Sequence, residues 1–276
     1  MAVTFFDSRT DDSGSAPKLI DCRYGRMLIN PNDIFIGQSL DVYGEFSPGE
    51  TALYNAVLRP GDIVVDAGAN VGAFTLCFSH AVQDAGRVYA FEPQRIVFQM
   101  LCANLSLNGR HNVEAWPVAL GAEIGQMIVP PVDYSVPGNF GDVELANEKL
   151  GEIVPLTTID NLGLDACALI KADVQGMECD ILAGAADTIS RLQPLLYLEN
   201  DQRDKSAELL NAIMAYGYRA YWHLPSLFDP DNFRGVHLNL FPGTVSVNLL
   251  CTPPRTHLEL PGLLEVRDPQ DWWQDH

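Results

Sequence analysis

A chain of 276 residues holds one large domain or two small ones, and with 47% hydrophobic against 19% charged residues it can bury a sizeable core. Its 17 Lys and Arg against 36 Asp and Glu leave a formal charge of −19. That balance argues against a nucleic-acid groove or an anionic membrane as partner, because both select a basic face.

Residues 1–7 lack the basic and apolar regions of a signal peptide. No apolar run reaches the roughly 18 residues needed to span a bilayer. The six cysteines (22, 77, 102, 167, 179 and 251) are dispersed and form no Cys-x-x-Cys. These features predict reduced thiols and a cytoplasmic protein.

Residues 1–17, rich in Asp, Ser and Thr, predict a flexible leader. A single domain over 18–262 follows. Its first part, 18–50, carries short apolar runs broken by Gly, Asn and Pro and reads as a cap. Leu53, Ala56 and Val57 have helical spacing. Ile63 to Asp66 is an unbroken apolar strand of the doubly buried, parallel kind, followed by the loop Ala67-Gly-Ala-Asn-Val-Gly72. Phe74, Cys77, Phe78, Ala81 and Val82 then share one helical face.

The alternation repeats. Strands are predicted at 87–91, 113–120, 168–173 and 195–199. Helices carry Val97 to Leu105, Ile181 to Ile189 and Leu209 to Met214. This grammar predicts an α/β fold with a doubly wound, mostly parallel sheet. Residues 121–158, rich in Pro and Gly, read as an insertion. Strands at 221–223 and 245–251 predict a terminal antiparallel hairpin. In the 263–276 tail, Trp272 and Trp273 are expected to dock on the body or on a second subunit, which leaves a homo-oligomer open.

Ligands of such sheets bind outside the carboxyl ends of the strands. Those ends are Asp66, Glu92, Ala119, Asp173, Glu199-Asn200 and His223. The glycine loop is not the G-x-G-x-x-G of dinucleotide sites, and an acid before it would repel pyrophosphate. It suits a cationic ligand without phosphate, such as S-adenosylmethionine (SAM). Glu92, ending the next strand, can take both hydroxyls of a ribose.

Tyr43-Gly-Glu-Phe-Ser, Asp66-Ala-Gly-Ala-Asn-Val-Gly, Ala90-Phe-Glu-Pro, Asn139-Phe-Gly141 and Ile170-Lys-Ala-Asp-Val-Gln-Gly-Met-Glu178 resemble the FkbM-type SAM-dependent methyltransferases. So does the run His223…Leu227-Phe-Asp…Asn232-Phe233, and the resemblance extends over about residues 40–251. It implies a class I, Rossmann-like fold and O-methylation of a sugar or secondary metabolite. It implies that Asp66, Gly68, Asn70 and Gly72 line the methionine end of SAM, with Glu92 on its ribose. Pro93 and Gln94 fall near the adenine, and Asp142 near adenine or substrate. Gln175 departs from the family's Asp-x-Glu-Gly pattern.

An alcohol needs a base or a metal to become nucleophilic. His223 is the first expected base, its plain alternative being a loop histidine bonded to backbone. Asp173 is expected to take the proton or hold the SAM ammonium, and Lys171 to polarise a substrate oxygen or simply pair with Asp173. Asp173, Glu199 and Asn200 together suit Mg²⁺ and a catechol-type, metal-dependent alternative. An NAD-dependent oxidoreductase and a SAM-binding protein without catalysis are further alternatives. The expected partner is a small-molecule acceptor.

Overall fold

The computed structural model describes residues 16–143, 150–254, 256 and 262–276, so most of the expected leader and the middle of the insertion lie outside the described residues. The chain opens with a hairpin, β1 (Lys18–Cys22) and β2 (Gly25–Ile29), and two helices, α1 (Ile36–Tyr43) and α2 (Pro48–Val57). Then comes the alternating part: β3 (Ile63–Ala67), α3 (Ala73–Val82), β4 (Arg87–Phe91), α4 (Arg95–Leu107) and β5 (Val113–Trp116). The insertion carries β6 (Ala119–Leu120), β7 (Gly125–Val129) and β8 (Glu152–Thr157). The second half runs β9 (Leu169–Ala172), α5 (Glu178–Ala183), α6 (Ala186–Leu192), β10 (Leu195–Glu199), α7 (Arg203–Ala215), β11 (Arg219–His223), β12 (Asn248–Thr252) and β13 (Leu264–Glu265).

The central sheet has the order β13-β11-β12-β10-β9-β3-β4-β5. The five strands from β10 to β5 are parallel, while β12 runs antiparallel to both β10 and β11. The expected terminal hairpin is therefore present, but its returning strand lies inside the sheet. All five β12 residues are buried, which an edge position could not give.

Side chains alternate between the two faces. Val65, Ala67, Ile170, Ala172, Leu196, Leu198 and Leu249 pack under α5, α6 and α7. Val64, Val88, Leu169, Tyr197 and Leu250 pack under α2 and α3 with Tyr54, Phe74 and Phe78. Helices on both faces make the sheet doubly wound. The hairpin β1–β2 is fastened to α4 by Asn104. Its Oδ1 accepts from Leu28 N at 2.6 Å, and its Nδ2 donates to Val71 O at 2.8 Å.

Three expectations about elements change. The run 113–120 is two strands, because Pro117 has no N–H to continue the ladder, and β6 joins β7 and β8 in a separate small sheet. The helix across 181–189 breaks at Gly184. There a Cβ would stand 2.0 Å from the Gly121 carbonyl, so the backbone of the insertion passes too close for a side chain. The tail is partly sheet, as β13, and Trp272 is buried edge-on against Trp222 with ring centroids 5.7 Å apart.

Candidate functional site

The strand order reverses between β3 and β9, and the crevice outside their carboxyl ends is where a doubly wound sheet takes its ligand. A cavity of about 230 Å³ opens there, lined by Gly68, Asn70, Glu92, Lys171, Asp173 and Glu199 among others. Gly68 has φ 75°, and a Cβ on it would lie 2.0 Å from the Asp173 carbonyl. Only glycine lets β3 and β9 approach so closely. Gly72, at φ 93°, plays a packing part instead, since its Cβ would meet Leu101 at 2.8 Å.

Glu92 is buried, and both of its oxygens are held by backbone N–H groups, Asn70 at 2.9 Å and Gln94 at 2.8 Å. Burial pushes its carboxyl up to about 7 against those two bonds. A carboxylate has about four lone-pair sites, so two remain for a ligand's hydroxyls. Gln94 in turn donates to Phe140 O at 2.9 Å and accepts from Tyr134 OH at 2.9 Å. These bonds hold the insertion over the crevice and bring Asn139 and Gly141 into the cavity wall.

The face of the sheet under α2 carries a polar row in a core otherwise apolar. Asp66 lies beside Lys171 in the ladder, Lys171 beside Tyr197, Glu199 beside Asn248 and Asn248 beside His223. Lys171 is fully buried. Its ammonium donates to Gly68 O at 2.8 Å and stands 3.5 Å from Asp66 and 3.7 Å from Asp173. Burial pulls its pKa down, but Asp173, Asp66 and Glu50 outweigh this and raise it. Asp66 is also bonded by Thr75 Oγ1 at 2.6 Å. Glu199 is held well above the usual carboxylate range by burial and by the neighbouring Asp173, Asp201 and Glu178.

The structure thus brings Gly68, Asn70, Glu92, Pro93, Gln94, Lys171 and Asp173 to one cavity, with Asp173 half exposed. Asp66 lies behind Lys171 and does not line it. Gly72 and Asp142 are not lining residues either, although Asp142 sits between Gly141 and Val143, which are. His223 is off the wall, its Nδ1 2.8 Å from Tyr197 OH, and burial pushes it down to about 4. The trio Asp173, Glu199 and Asn200 is not assembled as a ligand set, because Asn200 donates to Ser206 at 2.9 Å. Among the described residues no group of three His, Cys, Asp or Glu is placed to hold a metal.

Among the lining residues that escaped the sequence reading are Glu50 and Asn248. Glu50 follows Ser47 at capping-box spacing, which hides it as a helix-end residue. In the structure Ser47 makes no side-chain cap bond, and Glu50 is buried in the cavity wall.

The model of the methyltransferase FkbM domain matches residues 66–220, more than half of the chain. The chain belongs to the FkbM methyltransferase family. The curated 31-O-demethyl-FK506 methyltransferase FkbM of Streptomyces tacrolimicus is 26% identical over 228 residues, 70% of this chain and 86% of that one. The methyltransferase sdnD of Sordaria araneosa is 30% identical over 166 residues, 47% of this chain and 62% of that one. A solved FkbM methyltransferase of Methylobacillus flagellatus superposes with a TM-score of 0.48 at 20% identity, covering 73% of this chain and 50% of that one.

FkbM membership displaces the oxidoreductase alternative and makes SAM-dependent methyl transfer the chemistry of this chain. The cavity fits SAM. Gly68 leaves room against bare backbone, Glu92 offers free lone pairs, and the surrounding acids suit a ligand that bears two cationic centres. When bound, SAM supplies an activated methyl on a sulfonium. The departure at Gln175 also has a local meaning. Its amide donates to Glu199 at 3.0 Å and faces Asp173 at 3.4 Å. A glutamate there would add a further negative charge to an already crowded acidic group.

Proposed function

We propose that this chain transfers the SAM methyl group to a hydroxyl oxygen of a small molecule, a sugar or secondary metabolite. The observation that carries this reading is the single cavity joining the Glu92 cradle to proton-accepting carboxylates, Asp173 among them. A neutral alcohol needs such a group, because its oxygen is a poor nucleophile until the proton has somewhere to go. The relative of Streptomyces tacrolimicus, whose name specifies an O-demethyl acceptor, supports the same reading.

In this reading Glu92 orients the ribose, Asn70 and Gly68 the methionine end, and Gln94 the loop above the adenine. Lys171 binds no substrate. Its ammonium already serves Gly68 O, Asp66 and Asp173, and so holds the strand ends at their spacing. Because His223 meets Tyr197 and not the cavity, any proton it receives passes through Tyr197. With Asn200 turned to Ser206, activity is expected to survive EDTA unchanged.

The test is calorimetry with SAM, S-adenosylhomocysteine and NAD, followed by methyl-tritiated SAM with a library of hydroxylated acceptors. Binding of the first two ligands alone and a product carrying a new O-methyl are expected. A methyl found on nitrogen or carbon would overturn oxygen as acceptor. SAM affinity without product from any acceptor would favour the binding-only alternative.

A further inference from the structure

Among the described lining residues, Glu50 is a buried carboxylate delivered by a helix, where Glu92 and Glu199 stand at strand ends. It stands in the first turn of α2, which covers the polar face. Tyr54 OH donates to its Oε2 at 3.1 Å, and the Ser47, Ser246 and Tyr197 hydroxyls face it. Near it lies Asn248, 5% exposed, which also lines the cavity. The Asn248 amide nitrogen is buried and faces the Tyr197 hydroxyl, but makes no hydrogen bond of good geometry. A buried donor left unmade costs about 1–3 kcal/mol, and a ligand oxygen would remove that cost.

Beside these polar groups the cavity wall carries five large apolar side chains, Phe35, Phe46, Phe74, Leu227 and Val245. The charge is one-sided. Among the described lining residues Lys171 is the one cation, against Glu50, Glu92, Asp173, Glu199 and Asp201, and its ammonium is already committed to Gly68 O, Asp66 and Asp173. No described lining residue is left to neutralise an acceptor's phosphate or carboxylate.

We propose that Glu50 and Asn248 form the acceptor subsite, taking the hydroxyl of a molecule that is apolar and uncharged around the reacting oxygen, with Glu50 as its general base and the Asn248 amide donating to the oxygen. The inference rests on the O-methylation reading. The O–H bond breaks and its proton goes to the Glu50 carboxylate. The oxygen's electron pair forms the bond to the methyl carbon. The carbon–sulfur bond breaks, and its pair stays on sulfur as a neutral thioether. A carboxylate and a sulfonium become an acid and a thioether, so opposite charges vanish together, a change that a dry cavity favours. Burial raises the Glu50 carboxyl above its ordinary range, offset in part by the two serines and Lys171, which brings it nearer the working pH of a base.

The subsite can be read without knowing the acceptor. Fluorine NMR would follow 4-fluorophenol and 4-fluorobenzoate added to the S-adenosylhomocysteine-loaded protein, as wild type, Glu50→Gln and Asn248→Leu. The phenol is expected to bind wild type. It should weaken about tenfold in each variant, the loss of one strong hydrogen bond. The benzoate should bind at least about tenfold more weakly than the phenol. Calorimetry should find S-adenosylhomocysteine affinity in both variants within about threefold of wild type, which also shows that they fold. Equal binding of benzoate and phenol, unchanged phenol affinity in the variants, or no phenol binding by wild type would each overturn the subsite. A methyl on nitrogen or carbon in the acceptor library would instead overturn the parent reading, and the base role with it.

Discussion

At the scale of single residues, Glu92 combines two demands. The carboxylate is needed for a ligand's hydroxyls, yet burial holds it at about 7 in the folded chain against an ordinary value near 4.5. A raised carboxyl makes the folded state bind the proton more tightly than the unfolded one. Its contribution to stability is therefore fully present below about pH 4.5 and is lost as pH rises through about 7, up to about 3 kcal/mol in all. Thermal unfolding of the ligand-free protein between pH 5 and pH 8 should show this loss, and Glu92→Gln should flatten the curve while weakening SAM binding. An unchanged slope in the variant would assign the pH dependence elsewhere. Gly68 gives a steric counterpart. Gly68→Ala must either move the Asp173 carbonyl, 2.0 Å from the new Cβ, or abandon φ 75°. A loss of about 2 kcal/mol or more in urea unfolding, with SAM binding undetectable by calorimetry, is the expected outcome.

At the scale of elements, the site is an assembly of pieces that are regular alone and meet only through side chains. β3, β4 and β9 place the glycine loop and the acids, but the wall above them belongs to the irregular insertion. Gln94 is the hinge between the two, bonded to Phe140 O and Tyr134 OH. Asn30 and Asn32 add bonds to Tyr134 O at 2.9 and 3.1 Å. Gln94→Ala should leave the sheet intact and free residues 134–141. Hydrogen exchange there is expected to rise by about tenfold or more, the KM for SAM to rise with it, and the Tm to change little. Protection unchanged in 134–141 would show that the asparagines suffice. The elements were also the level at which the sequence was most legible. The β3 and α3 periods, the Asp66-to-Gly72 turn and Glu92 all follow from contiguous residues. Pro117 and Gly184 both end an element, the first by its missing N–H, the second because the insertion passes beside α5. Glu50 is not singled out by the sequence, because capping and cavity lining call for the same residue at the same spacing.

For the whole molecule, the −19 charge matters more than any single surface pair. Exposed ion pairs such as Lys18–Asp41 and Arg95–Glu152 contribute little, while the excess of carboxylates repels itself in the compact state. At 0.1 M salt the screening length is about 10 Å, so raising NaCl from low to moderate concentration should raise the Tm by a few degrees. A flat or falling Tm would mean that favourable pairs balance the repulsion. No helix among the described residues is long and apolar enough to cross a membrane. All six cysteines are free, and burial pushes the pKa of each upward, so none is a poised thiolate.

By itself the chain determined the alternation of strands and helices, the glycine turn and the acid that ends the following strand, because each is written in neighbouring residues whose backbone geometry is local. Tertiary structure decided the rest. Placing β12 inside the sheet set Asn248 next to Glu199 and His223, and laying α2 over the same face delivered Glu50 to the cavity. Residues so far apart in sequence share a cavity only when burial of the two sheet faces draws them there, and no period along the chain encodes that meeting.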